Sequence, residues 1–182
     1  MIRFLTNSTL FEPMLRDVLD YEIDYLSAYD GILYIPQDKK RLLELFILQM
    51  SSERNIQLTC LDCYGQDQLT YQCLLFADKM GSAQLVKMST VLLLAMMRHD
   101  RKVLDEVDRF IEKLEPKQLE FSKSYILNEG NALESANHLF VHRNTINNWL
   151  NEFEKKTKMD LRVQHHRHCL ELMLTYYHYD TK

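Results

Sequence analysis

In the first two thirds of the chain, short apolar runs alternate with longer segments whose apolar residues recur every three or four positions. The short runs predict buried strands at residues 2–5, 32–35 and 56–61. The longer segments predict helices at residues 12–26, 39–53, 66–79, 82–98 and 101–114. Because long helices separate the strands, parallel pairing is favoured over hairpins. The pattern therefore predicts a small β-α-β-α-β unit followed by helices.

The helix predicted at residues 39–53 has an expected cap and an expected buried face. Asp38 is placed to cap the helix at residues 39–53. The buried stripe of that helix is predicted to comprise Leu42, Leu43, Phe46, Ile47 and Met50.

The helix at residues 82–98 is apolar on nearly every side. Its broad apolar face is formed by Met88, Val91, Leu92, Ala95 and Met96, with Leu93, Leu94 and Met97 extending it. A helix of this kind is buried, either in its own core or against another subunit. The core is favoured for any single residue, and the helical middle as a whole is the favoured dimer surface.

After Pro116 interrupts the helical pattern, two short amphipathic helices are predicted across a tight junction. Asn131 is a good N-cap for the first, with Glu134 able to complete a capping box, and Gly130 suits the end of the preceding helix. The apolar stripe of the first helix is Leu133, Ala136, Leu139 and Phe140. Ala136 is predicted to lie where the second helix crosses closest. This layout is typical of a helix-turn-helix, which places its second helix in the major groove of DNA.

The second helix is predicted to begin near His142 or Arg143 and to have two distinct faces. Its inner face comprises Ile146, Trp149, Leu150 and Phe153. Its outer face comprises Asn144, Asn147, Asn148, Asn151 and Lys155. The alternative interpretation is that the outer face is an ordinary solvated helix surface. Only its position in a predicted helix-turn-helix favours a role in binding.

The outer face has the chemistry for reading base pairs. Asparagine can pair with N6 and N7 of adenine, and Arg143 can contact guanine or phosphate. We expect groove contacts from Arg143, Asn144, Asn147, Asn148 and Asn151. Phosphate contacts are expected from His142, Thr145 and Lys155. Ala136, Ile146, Trp149 and Leu150 should hold the two helices in register.

The run from Leu139 to Thr145, followed by Trp149 and Leu150, resembles the C-terminal helix-turn-helix of PucR-type transcriptional regulators, which include the sugar-diacid regulator CdaR. The resemblance covers roughly residues 118–176 and implies a DNA-binding domain with residues 143–153 as its recognition helix. Members commonly have basic and aromatic residues where this chain has Asn147 and Asn148, which implies weaker phosphate attraction there.

Charge limits the expected affinity for DNA. The chain of 182 residues has a net charge of −4. Residues 121–182 contain eight Lys and Arg against seven Asp and Glu, or +1, so the remainder, with fourteen against nineteen, carries −5. A near-neutral domain gains little from counterion release, so we expect modest affinity that depends on pairing two copies. Lys155, Lys156, Lys158, Arg162 and Arg167 could meet phosphates.

Other functional classes find less support in the sequence. Cys60 and Cys63 have the spacing of redox and zinc sites, but residues three apart on a strand face opposite ways. His165 and Cys169 lie one helical turn apart, so a metal pair is geometrically possible, but no carboxylate or further cysteine completes it locally. No catalytic or phosphate-binding motif is present, so no enzymatic activity, cofactor or metal is expected. The chain also lacks an apolar segment long enough for a membrane span or a signal peptide, and we expect a cytoplasmic location.

The sequence thus predicts an α/β to mostly α protein, with an N-terminal unit of short parallel strands, a helical middle and a C-terminal helix-turn-helix bundle. Residues 1–115 would serve sensing or dimerisation, and residues 116–182 would bind DNA. The expected partners are double-stranded DNA, a second copy of the chain and a small-molecule effector. The alternative is a protein-interaction or ligand-binding module whose helix-turn-helix no longer binds DNA.

Overall fold

The computed structural model of the chain describes residues 1–81 and 84–180. The chain divides into two compact units, Met1–Val91 and Leu92–Lys182. The first contains a sheet with helices, and the second is helical, which confirms the α/β to mostly α class. The boundary expected at residue 116 falls inside the second unit. Among the described residues, no helix is long and apolar enough to cross a membrane.

The sheet of the first unit is mixed, with strand order β2-β3-β1-β4-β5. The strands are β1 (Ile2–Thr6), β2 (Glu22–Tyr25), β3 (Asp30–Tyr34), β4 (Leu58–Asp62) and β5 (Leu85–Lys87). Strand β1 is central and lies antiparallel to β3 and β4, and only the β4–β5 pair of this sheet is parallel. The three predicted strands are therefore present, but the predicted parallel pairing is wrong.

The cause of that error lies in the segment predicted as one helix at residues 12–26. Helix α1 (Phe11–Arg16) is short, and β2 follows it and forms a hairpin with β3. The N–H groups of Leu26 and Ser27 both donate to the carbonyl of Asp30, at 2.9 and 3.0 Å, which closes the hairpin. Consecutive strands joined by a tight turn are antiparallel. The chain therefore enters β3 from a hairpin and not from the helical crossover that a parallel pairing requires.

Helices cover both faces of the sheet. Helix α2 (Lys40–Arg54) packs on β4 and β5, and α3 (Gln68–Lys79) packs on β1 and β4. Alternate residues of a strand face opposite ways. Ile2 and Phe4 accordingly join the core beneath α2, whereas the Arg3 guanidinium lies 4.6 Å from the ring centroid of Tyr71 on α3.

Two details of α2 differ from the prediction. Residues Gln37–Lys39 form a 3₁₀ turn that leads directly into α2, so Asp38 already lies inside helical structure and does not cap it. Leu43, Phe46, Ile47 and Met50 are buried as predicted, but Leu42 lies at the edge of the stripe and is exposed.

The helix predicted at residues 82–98 begins at Ser82 and Ala83, which lie outside the described residues. Residues 85–87 form β5, because Leu85 pairs with Cys60 at the edge of the sheet, and helix α4 (Met88–Met97) begins only afterwards. Met88, Val91, Leu92 and Ala95 are buried, whereas Leu93 and Met97 are exposed. The apolar helix is therefore neither wholly buried nor wholly exposed.

The second unit is built from helices α5 (Arg101–Glu112), α6 (Pro116–Leu127), α7 (Ala132–His138), α8 (Arg143–Thr157) and α9 (Gln164–Asp180). Helix α5 packs against α9, and α6 contacts α7, α8 and α9. Pro116 is the first residue of α6, where its missing N–H costs nothing, and Glu115 and Gln118 form a capping box around it. The core of this unit includes Phe121, Tyr125, Ile146, Leu150, Phe153, Leu161, Leu170 and Met173.

Candidate nucleic-acid interface

The turn between α6 and α7 is fixed by backbone conformation and by a cap. Glu129 and Gly130 have positive φ, at +53° and +84°. A Cβ at Gly130 would lie 2.7 Å from the guanidinium of Arg167, which also donates to the carbonyl of Leu161 at 2.8 Å. The side-chain oxygen of Asn131 accepts from the N–H of Leu133 at 3.0 Å and of Glu134 at 3.3 Å. The predicted N-cap is confirmed.

The buried face of α7 differs from the predicted stripe. Ser135 and Ala136 are buried and Leu139 is half-buried, but Leu133 is 54% and Phe140 97% exposed. Ser135 can be buried because its hydroxyl donates to the carbonyl of Asn131 at 2.7 Å. Phe140 lies beyond the end of the helix, so the helical spacing no longer determines where its side chain points.

A Schellman motif closes the junction between α7 and α8. The N–H of Val141 donates to the carbonyl of Ala136 at 2.9 Å, and the N–H of Phe140 donates to that of Asn137 at 3.3 Å. Phe140 takes the left-handed position of the motif, with φ +54°. This pair of bonds ends α7 and sets the angle at which the chain enters α8.

Helix α8 begins as predicted, and a histidine caps it. The Nδ1 atom of His142 accepts from the N–H of Asn144 at 3.2 Å. The carbonyl of His142 accepts from the N–H of Thr145 at 2.8 Å. His142 is exposed, and its other ring nitrogen forms no hydrogen bond within the described part of the chain.

The inner face of α8 packs on α6 and α7. Ile146, Leu150 and Phe153 are buried, and Ala136 is only 2% exposed. Trp149 is half-buried; its ring lies edge-on to Phe121, with centroids 5.9 Å apart, and the Lys117 ammonium lies 4.5 Å from its centroid. The residues predicted to hold the two helices in register therefore lie where the helices pack against each other. They are Ala136, Ile146, Trp149 and Leu150.

The outer face of α8 is exposed throughout. Asn144, Asn147, Asn148, Asn151 and Lys155 are all exposed, as is Arg143 at the first helical position, and Thr145 is half-buried. Within the described part of the chain, the side chains of Arg143, Asn144, Asn147, Asn148 and Lys155 form no hydrogen bond or ion pair. Asn151 differs, because its side-chain oxygen accepts from the guanidinium of Arg162. The N-terminal half of the helix therefore presents its amides unengaged.

The basic residues after the outer face fall into two groups. Lys156 contacts Glu115 at 2.8 Å, and Arg162 contacts Asp160 at 3.1 Å and Glu154 at 3.3 Å. The hydrogen bond and charge of Lys156 hold the pKa of Glu115 below its usual range. Arg167 is engaged with backbone carbonyls. Lys155 and Lys158 have no partner among the described residues, so these two lysines can meet phosphates without breaking an internal contact.

The cysteine pair singled out by its spacing lies in the first unit. Cys60 and Cys63 are buried and form no disulfide. Burial raises the pKa of the Cys60 thiol, and it raises the pKa of Cys63 to about 12. Within residues 1–81 and 84–180, no three His, Cys, Asp or Glu side chains are grouped as a metal site would require.

One exposed residue beside α8 has no role in the sequence-based site. Phe140 was assigned to the apolar stripe of α7 by its spacing, and the turn instead leaves its ring almost completely in solvent. The signal that could have identified it is its position directly before the Val-His-Arg segment, outside any regular helix.

Residues 119–176 match the family of PucR C-terminal helix-turn-helix domains. The chain therefore carries a PucR-type helix-turn-helix. This PucR-type domain runs from within α6 to within α9 and contains the whole candidate interface.

The fold of the complete chain also has a solved counterpart. The crystal structure of a regulator of polyketide synthase expression from Bifidobacterium adolescentis is similar, with a TM-score of 0.52 and 13% sequence identity. The similarity covers 100% of this chain and 80% of that one, and at this identity it shows a shared fold. No curated protein sequence matches this chain.

Proposed function

We propose that this protein is a transcription regulator that binds double-stranded DNA by placing α8 in the major groove. The observation that carries the proposal is the unengaged N-terminal half of the outer face, held in a PucR-type helix-turn-helix. In such motifs, the N-terminal residues of the second helix contact base edges.

The proposed contacts follow from side-chain chemistry. Asn144, Asn147 and Asn148 read adenine through paired donor and acceptor atoms, and Arg143 takes guanine or phosphate. Asn151 contributes its amide nitrogen, since its oxygen already accepts from Arg162. His142, Thr145 and Lys155 contact phosphates, with Lys158 beside them.

Affinity would come from two copies of the chain. The formal charge of +1 over residues 121–182 gives one domain little electrostatic attraction to DNA. A two-fold pair doubles the contacts on a palindromic site. We propose a cytoplasmic homodimer in which the N-terminal region, residues 1–115, acts as the dimerisation or effector module and sets the spacing of the two recognition helices.

A second candidate function is supported by the charge distribution. Lys156 and Arg162 are neutralised by acidic neighbours, and the chain as a whole is acidic. A helix-turn-helix that has lost DNA binding and serves as a protein-interaction or ligand-binding module would have these properties.

Electrophoretic mobility shifts with the region upstream of the protein's own gene distinguish the two functions. The double variant Arg143→Ala with Asn144→Ala should abolish the shift, because both residues lie at the proposed groove end of α8. The double variant Arg41→Ala with Gln49→Ala is the matched control, since it removes the same residue chemistry from exposed positions of α2. Circular dichroism should be unchanged for both. Binding that survives the first variant would overturn the site assignment, and wild-type protein that binds no DNA would favour the second function.

A further inference from the structure

Phe140 combines two features that folding alone does not favour. Its side chain is 97% exposed and its backbone has φ +54°. An exposed apolar side chain is ordinary by itself. A bulky residue with positive φ is uncommon, and strained conformations of this kind cluster at functional sites.

The position would fold better with another residue. Helix ends with this hydrogen-bond pattern usually have glycine in the left-handed position, since glycine has no Cβ to strain. A polar residue would suit solvent better than a phenyl ring. Because phenylalanine favours neither the backbone conformation nor the solvation of this position, a contact with a partner outside the chain explains it better.

The turn places Phe140 beside the proposed groove contacts. Val141 is bonded back to Ala136, and His142 then caps α8, so only two residues separate Phe140 from Arg143. The exposed side chains that follow, Arg143 and Asn144, have no internal partners among the described residues. An exposed apolar ring therefore directly precedes the N-terminal end of α8, where the proposed groove contacts begin.

We propose that Phe140 is a specificity-determining residue that packs against the C5-methyl groups of thymine, next to asparagines that read adenine. The inference rests on the proposed function. Phenylalanine is among the apolar residues that contact the thymine methyl in the major groove, and asparagine pairs with the N6 and N7 atoms of adenine. Both side-chain types select A·T base pairs, so the half-site is A·T-rich where it meets the start of α8.

The experiment begins with selection of binding sites from a random-core DNA duplex pool by the full chain. The selected duplex is then synthesised with uracil in place of thymine, which removes only the methyl groups. Wild-type affinity should fall about fourfold for each contacted methyl, the value expected for a buried methyl-sized group. The Phe140→Ala variant should bind the thymine duplex more weakly and lose its sensitivity to the substitution. Leu127→Ala, which removes another exposed apolar side chain at the end of α6, should retain the wild-type response.

A second variant distinguishes the loss of a DNA contact from a loss of folding stability. Phe140→Gly relieves the backbone, so its Tm should equal or exceed that of the wild type while its affinity for the thymine duplex falls. Equal wild-type affinity for the thymine and uracil duplexes would overturn the inference, as would Phe140→Ala binding that keeps full methyl sensitivity. Failure to select any duplex would instead overturn the proposed function itself.

Discussion

The N–H of Val141 donates to the carbonyl of Ala136 at 2.9 Å, and this bond ends α7 and begins the turn that leads into α8. Ala136 is 2% exposed, because α8 packs against α7 beside it. A buried position in a close-packed interior leaves little room for a side chain larger than a methyl group.

A larger residue at this position should therefore push the helices apart. We expect Ala136→Leu to lower the free energy of unfolding by about 1–3 kcal/mol, the usual cost of overpacking. Urea denaturation followed by the fluorescence of Trp149, the one tryptophan of the sequence, would measure it. Asn137→Leu is the control, since it adds the same side chain at the adjacent exposed position and should be nearly neutral. A neutral Ala136→Leu would show that the helices do not cross closely at this methyl group.

Lys155 and Lys156 are adjacent in sequence but should contribute differently to DNA binding. Lys155 has no partner among the described residues, whereas Lys156 is paired with Glu115. Each phosphate contact contributes about 0.9 to the slope of log affinity against log salt concentration. Lys155→Met should reduce that slope by about 1. Lys156→Met changes the net charge equally and should leave the slope nearly unchanged. Equal slope changes would mean that the contact seen with Glu115 is not kept in the complex.

The ion pair between Lys156 and Glu115 should also be visible in the pH titration of the carboxylate. Lys156 lowers the pKa of Glu115, so any stability from the pair is present above the ordinary Glu pKa and is lost as pH falls through the lowered pKa. In the Lys156→Met variant, the pKa of Glu115 should rise towards its ordinary value. Carbon-13 NMR of the side-chain carboxyl would follow it. Lys155→Met should leave that titration unchanged, and a similar rise in both variants would refute the pairing.

The thiols of Cys60 and Cys63 should be inert in the folded protein. Burial raises the pKa of Cys63 to about 12 and also raises that of Cys60, so almost no thiolate exists near neutral pH. Ellman's reagent should react slowly with native protein, and labelling of Cys63 should stay slow as pH rises to about 9. In denaturant, all four cysteines of the sequence should react. Rapid native labelling that disappears in Cys63→Ser would revive a redox role for the pair.

The sequence-based predictions are accurate for features that depend on residues close together in the chain. The helix-turn-helix could be predicted because its determinants lie close together. Asn131 caps α7, and the spacing of Ile146 and Leu150 defines the buried face of α8. The family resemblance at residues 139–145 agrees with the DNA-binding interpretation that this layout already indicates, and the domain match over residues 119–176 confirms the resemblance.

The sheet could not be predicted in the same way, because its pairing depends on distant residues. The spacing of Leu15, Leu19 and Ile23 fits a helix, yet Ile23 lies on an edge strand opposite Leu33. The three-residue strand β5 is defined by its pairing with the neighbouring strand β4, in which Leu85 lies opposite Cys60, 25 residues earlier in the chain. Phe140 was misassigned for a different reason, since no glycine marks the left-handed position at which α7 ends.

The domain boundary predicted at residue 116 can be tested with two fragments. Residues 92–182 include α5, whose side chains Val103, Leu104, Val107 and Ile111 are at most 1% exposed. Helix α5 packs against α9, so the fragment 116–182 exposes the surface of α9 that α5 covers. Burial of each such side chain contributes about 1.5–3 kcal/mol, and a whole domain has only about 5–15 kcal/mol of stability. We therefore expect residues 92–182 to unfold cooperatively in urea and residues 116–182 to unfold at a much lower concentration, both followed by Trp149 fluorescence. Equal midpoints would show that the helix-turn-helix domain folds from residue 116 onward without α5.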